Sequence, residues 1–129
     1  MSERALFVAC GVAGALAVVL GAFGAHALRD HFASLPDGEA RRRLWETASH
    51  YHLMHALAVG IAGYLSGKST AASAAGVAGL CFLGGILLFS GSLYAMAITG
   101  MRGLGAITPF GGLAFIAGWS AVAIAAWRL

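Results

Sequence analysis

The side chains able to do chemistry in this chain are gathered in one stretch. All five histidines fall there: His26, His31, His50, His52 and His55. Imidazole binds metals and carries protons near neutral pH. His52 and His55 are three apart, so on a helix they lie near one face. With His26 and Asp30 they could supply a mixed nitrogen and oxygen shell for a metal ion, the metal candidates being His26, His52 and His55. Axial ligation of haem by His26 and His55 is a second chemistry open to such a pair. No other feature of the sequence asks for a metal, a haem or another cofactor. The plainer alternative is a buried hydrogen-bond network tying helix ends together, each bond worth roughly 0.6 kcal/mol between membrane helices. A nucleophile with its base is not formed. Ser90 and Ser92, in Phe89-Ser90-Gly91-Ser92-Leu93, sit late on a helix rather than at a strained strand-to-helix turn. The chain is therefore expected not to be an enzyme.

The elements that must position these residues are membrane helices. The 129 residues are 60% hydrophobic and only 10% charged, with a mean hydropathy of +0.83. A soluble domain carries about 25% charged residues. Four stretches, 5–28, 48–66, 74–98 and 106–127, approach the ~20 apolar residues that a span requires. The expected fold is an all-α integral membrane four-helix bundle, a single domain over residues 1–129. The loops are too short to hold a soluble module. Ala25-His26-Ala27 resembles a signal-peptide cleavage site, but the apolar run before it exceeds the about 7–15 residues of a signal core. With the chain beginning at Met1, the first span is expected to be retained.

The second span is expected to begin as an amphipathic helix at the interface. Pro36-Asp37-Gly38 reads as a turn, and Ser34 or Asp37 as a cap for a helix starting near Glu39. Its first turns carry Arg41, Arg42, Arg43, Trp45 and Glu46. The three arginines and Trp45 suit lipid headgroups, as snorkelling anchors or as a site for anionic lipid. Arg42 and Glu46 are four apart and can pair. The net charge of +3 reflects such flanks. A nucleic-acid partner is excluded, because no large basic face is free of the membrane. Cys10 and Cys81 lie within spans and read as small apolar residues.

Following the chain through the bilayer collects the polar side chains in one half, the half nearest the first loop. His26 ends span one. Tyr51, His52 and His55 open span two. Ser90, Ser92, Tyr94 and Thr99 end span three, and Thr108 and Pro109 open span four, where proline's missing N–H costs nothing. Tyr51 and His55 share a face. The expected constellation is His26, Asp30, Tyr51, His52 and His55, roofed by Ser92 and Tyr94, with His31 and His50 on the surface. Trp45, Trp119 and Trp127 read as interface or packing aromatics. Small residues recur at spacing four, as in Ala17 and Gly21, Gly21 and Ala25, and Ala114 and Gly118, so that helix backbones can approach closely. Such faces pack the four helices on each other or on a second copy.

Four motifs in order resemble a known family. Leu20-Gly21-Ala22-Phe23-Gly24-Ala25-His26 comes first, then Tyr51 with His55-Ala56-Leu57-Ala58. Leu88-Phe89-Ser90-Gly91-Ser92-Leu93-Tyr94 and Thr108-Pro109-Phe110-Gly111-Gly112, followed by Ala117-Gly118-Trp119, complete the set. Together they resemble the small bacterial inner-membrane proteins typified by YgdD, which have small eukaryotic transmembrane relatives. The resemblance implies four transmembrane helices, an inner-membrane location and no assigned activity, substrate or cofactor. Its matching positions are His26, Tyr51, His55, Ser90, Ser92, Tyr94, Thr108 and Pro109; His50 and His52 fall where its pattern is not fixed as histidine.

Both termini are expected on one side of the membrane. Arg4, Lys68 and Arg128 lie there, against Arg29, Arg41, Arg42, Arg43 and Arg102 on the other. The positive-inside rule then places the first loop in the cytoplasm. The resemblance opposes this, since family members with a basic C-terminal tail imply a cytoplasmic C-terminus. The function expected first is that of a non-enzymatic assembly or partner-binding module in the bilayer, its partner a second copy or another membrane protein. Binding or transport of a small ligand, proton or metal ion by the polar half is the alternative. A third reading is an anionic-lipid binder.

Overall fold

The structure is a computed structural model that describes residues 1–68 and 70–129. It is all-helical, with no strand among the described residues. Helix α1 spans Glu3–Ala25, α2 Arg29–Ala33, α3 Gly38–Ser66 and α4 Ala72–Gly85. A π-helical turn, Ile86–Ser90, joins α4 to α5, Gly91–Thr99. A 3₁₀ turn, Arg102–Ala106, precedes α6, Thr108–Trp127.

Three of these segments are long and apolar enough to cross a membrane: Glu3–Ala25, Ala72–Thr99 and Arg102–Trp127. Helix α3 is longer than any of them, but it carries three histidines and a charged first third. At 1.5 Å per residue its 29 residues span about 44 Å, more than a hydrocarbon core of ~30 Å. It is the element against which the others pack. One core cluster draws Leu6 from α1, Ala58, Val59 and Ala62 from α3, Ala78 and Phe82 from α4, and Phe115 and Ala121 from α6.

The size order of the interior is inverted relative to a soluble protein. Most core residues are alanine, while Phe7, Val12, Val18, Leu57, Leu80, Leu87, Phe110 and Ile116 are exposed. So much apolar surface faces a nonaqueous environment. Inside, helices approach over small residues. A Cβ on Gly79 would strike Leu6, and one on Gly118 would strike Phe82.

The ends differ from the sequence reading in informative ways. The first span stops at Ala25 rather than residue 28, and the Leu28 N–H bonds back to the Phe23 carbonyl at 3.1 Å. The connection that follows folds into α2, because Phe32 drops into a pocket against Trp45 and is 2% exposed. Ser2, unremarked in the sequence, caps α1 by accepting from the Ala5 N–H at 3.2 Å. Asp37 holds the N-cap position of α3, but its side chain makes no capping bond, and Ser34 lies outside the cap. Ser34 donates to the His31 carbonyl at 2.7 Å, and the Asp37 carboxylate accepts from Arg41 at 3.0 Å. Gly38 is required at the start of α3, since a Cβ there would overlap the Phe32 carbonyl. Pro109 sits at the start of α6, where the sequence placed it.

The basic first turns of α3 form an ion-pair ladder. Glu39 accepts from Arg42 at 2.8 Å and from Arg43 at 3.0 Å. Arg42 also donates to Glu46, the pair that the spacing anticipated. The two arginine hydrogen bonds hold the Glu39 carboxyl at about 2, below its ordinary 4.5. A carboxylate lowered by folding favours the native state above its ordinary pKa, and that benefit is lost as pH falls through 4.5 toward about 2. Titration of Glu39 followed by NMR is expected to show a midpoint near 2, moving up towards 4.5 in Arg42→Gln. The effect on stability is small, because the ladder is solvent-exposed.

Candidate functional site

The polar residues form two groups on different sides of α3, with His26 and Asp30 outside both. The first group is centred on His55, 4% exposed. The Trp119 indole N–H donates to its Nε2 at 3.3 Å. An accepting Nε2 is unprotonated, so Nδ1 carries the hydrogen and donates to the Tyr51 carbonyl at 2.8 Å. The imidazole is thereby fixed in one neutral tautomer with both nitrogens satisfied. It also stacks on Phe115, ring centroids 3.5 Å apart and planes at 11°. Phe82 meets Trp119 edge-on at 5.2 Å. His55 thus fastens α3 to α6.

Tyr51 lies one turn before His55, as the spacing required, with its ring near-parallel to the imidazole at 5.8 Å. It packs on Phe89 of the π turn at 4.6 Å. Tyr51, His55, Phe89, Phe115 and Trp119 line a groove of about 640 Å³, floored in part by Gly112 and Pro109. Tyr51 is 37% exposed.

The second group lies where α3 faces α5. His52 Nδ1 is 3.4 Å from the Tyr94 hydroxyl. Tyr94 meets the Trp45 ring edge-on at 4.6 Å. Trp45 is 6% exposed, and its indole N–H donates to the Leu20 carbonyl at 2.8 Å. This corrects the lipid-headgroup reading of Trp45 in favour of packing: it is an interior wedge between α1, α2 and α5. It fits because Gly24 has no side chain to meet it.

The roof also divides. Ser92 donates to the Phe89 carbonyl at 2.9 Å and meets the Thr108 hydroxyl at 2.7 Å, linking α5 to the start of α6. Ser90 is fully buried and its hydroxyl has no partner among the described residues. An unsatisfied buried hydroxyl is unfavourable. Ser90→Ala is therefore expected to raise thermal stability by about 1 kcal/mol, measured as the unfolding midpoint in detergent micelles.

His26 and Asp30 are exposed, as are His31 and His50. The single constellation expected from the sequence is not assembled: His26 and Asp30 are exposed, while His52 and His55 are buried. Among the described residues no three His, Cys, Asp or Glu side chains gather closely enough to hold a metal ion.

The arginines are engaged rather than free. Arg41 pairs with Asp37 and donates to the Ile98 carbonyl at 3.2 Å. It reaches that carbonyl because Gly100 ends α5 with φ 71° and has no Cβ in the way. Arg42 and Arg43 belong to the Glu39 ladder. Arg29, which the sequence reading counted only as a flanking charge, makes no ion pair among the described residues.

A second groove, about 510 Å³, runs between the end of α1 and the first half of α3. Gly21, Gly24 and Ala25 form one wall; Trp45, Ser49 and Leu53 form the other. Sequence reasoning treated the α1 residues only as a packing stripe. The signal that was present is the position of Arg29, one turn beyond Ala25.

A family profile described as a protein of unknown function, DUF423, matches residues 20–112. The UPF0382 membrane protein YwdK of Bacillus subtilis is 42% identical over 122 residues, covering 94% of this chain and 95% of the relative. The UPF0382 membrane protein SAB0533 of Staphylococcus aureus is 41% identical over 128 residues, covering 95% and 96%. A Staphylococcus haemolyticus relative, the UPF0382 membrane protein SH2409, is 42% identical over 113 residues, 88% of this chain and 87% of its own. No solved structure matches. These relatives carry the UPF0382 name rather than the YgdD one. The coarser expectation, a small membrane-protein family without an assigned function, holds. The matched region includes α3, the π turn and the start of α6, and the chain belongs to the DUF423 family of membrane proteins of unknown function.

Proposed function

We propose that this chain is a four-helix protein of the cytoplasmic membrane, related to the YgdD type, that serves as a non-enzymatic assembly or partner-binding module. The observation carrying this reading is the state of His55. Both its nitrogens are occupied, by Trp119 and by the Tyr51 carbonyl, so the most buried imidazole is a fastener between helices rather than a base. The fourth span is the 48–66 part of α3, about 28 Å long at 1.5 Å per residue and without an acidic or basic side chain other than histidine. Its histidines lower its hydropathy, but His52 and His55 are enclosed by the other helices, and lipid meets Leu53, Leu57 and Ile61 instead. A partner, whether a second copy or another membrane protein, would meet the aromatic groove beside Tyr51, Phe89 and Trp119. Cross-linking in native membranes followed by purification is expected to trap a stable assembly at native expression level. A lone monomer overturns the reading.

A second reading has an observation of its own. The Tyr51 hydroxyl has no hydrogen-bond partner among the described residues, yet it borders the 640 Å³ groove. That arrangement suits a small apolar ligand with one polar atom. Elemental analysis and visible absorption of the purified protein test for a metal or chromophore. Unchanged properties in Tyr51→Phe would remove this reading.

A further inference from the structure

We propose that the groove between α1 and α3 holds one anionic phospholipid, with Arg29 as the cation that selects it. This site is separate from the aromatic groove and does not depend on the partner-binding reading. Its polarity runs along its length. Arg29, Arg42 and Glu46 lie at the end nearest the first loop, Ser49 and His50 in the middle, and Gly21 and Leu53 at the far end. From Glu46 to Leu53 is about 10 Å along α3. An amphiphile standing in a bilayer leaflet has the same order in the same direction: charged head at the surface, apolar tail inward.

The charge at the head end favours an anion. Arg42 is already joined to Glu46 and Glu39, which leaves Glu46 neutralised. Arg29 has no ion-pair partner among the described residues and is the uncompensated cation of the groove, giving its three ionised groups a net charge of +1. The apolar end selects against a free phosphate. Gly21, Gly24 and Ala25 keep the wall of α1 low, and Phe32 and Trp45 fill in behind it. A volume of about 510 Å³ lies within the ~300–1,000 Å³ range of small-ligand sites. The three consecutive arginines, which look like the lipid anchor in the sequence, are each tied to a carboxylate. The lipid site therefore lies one helix over, at an arginine that no salt bridge engages among the described residues.

The test uses the full chain in detergent, with native mass spectrometry of bound phosphatidylglycerol and of phosphatidylcholine carrying the same acyl chains. Phosphatidylglycerol is expected to be retained in preference. Arg29→Gln is expected to lower its retention roughly fivefold, the worth of one basic residue at an anionic surface. Arg43→Gln, on the exposed outer side of the ladder, is expected to change it little. Ala25→Phe keeps every charge but fills the groove and is expected to reduce retention of both lipids, with the fold checked by circular dichroism. Equal retention of the two lipids, equal effects of Arg29→Gln and Arg43→Gln, or full binding by a folded Ala25→Phe would overturn the proposal. Displacement of the lipid by glycerol phosphate alone would also overturn it, by assigning the site to a free phosphate.

Discussion

Replacing Gly111 with leucine is expected to unseat α6 and to destabilise the protein by about 3 kcal/mol or more, in the upper part of the range for overpacked sites. A Cβ at Gly111 would overlap the backbone nitrogen and Cα of Phe89. Backbone cannot swing aside as a side chain can. Phe89 also lies inside the π turn, so its position is held from both sides, by Tyr51 at 4.6 Å and Phe115 at 5.5 Å. Separating α6 from this turn would also stretch the Ser92–Thr108 bond, one turn from the clash. Unfolding in mixed micelles, followed by circular dichroism, measures the loss. Gly112→Ala is the matched control. Its Cβ would meet only the Phe89 ring at 3.9 Å, an ordinary contact, and a small change is expected.

The second large effect is expected at His55. Truncation to alanine removes the ring stacked on Phe115 and leaves a void among Phe82, Phe115 and Trp119. Large-to-small changes at such sites cost about 3 kcal/mol. In lipid the loss comes from dispersion contacts rather than from water, since apolar groups gain little by leaving hydrocarbon for a protein interior. His55→Phe separates packing from polarity. It restores the stack but leaves the Trp119 N–H without an acceptor, and should recover most of the loss, short by roughly 0.6 kcal/mol. The midpoint of unfolding of the three proteins gives the ordering wild type, Phe, Ala. If Phe were as damaging as Ala, the imidazole nitrogens would matter beyond fastening, and the small-ligand reading would gain.

Much of this follows from particular residues rather than from overall composition. The apolar runs gave the three strongest spans to within a few residues, because hydrocarbon demands length and hydropathy and little else. The Pro109 start of α6, the Arg42–Glu46 pair and the shared face of Tyr51 and His55 were readable because each is a local matter of helix spacing. The π turn was not. An extra residue in a helix leaves no mark in hydropathy, and it exists here where Phe89 passes against Gly111 on another helix. Trp45 stayed open between interface and packing for a related reason. A tryptophan beside three arginines has the composition of an interface anchor, and only the gap left by Gly24 on α1 makes it an interior residue.

The same division holds for the candidate sites. The sequence by itself determined that the chain is a helical membrane protein and that Tyr51 and His55 share one face of a helix. Those facts depend on residue type and on spacing within one helix. The tertiary structure decided which helices meet and in what rotation, and so which polar groups find partners. It split the histidines, closing His55 between Trp119 and Phe115 and turning His26 outward at the end of α1. It also engaged Arg41, Arg42 and Arg43 with nearby carboxylates while leaving Arg29 at the mouth of a groove. A hydrogen bond or an ion pair between helices depends on the distance between two chain segments, and that distance is set by packing of small residues such as Gly21, Gly24 and Gly111 rather than by the polar residues themselves.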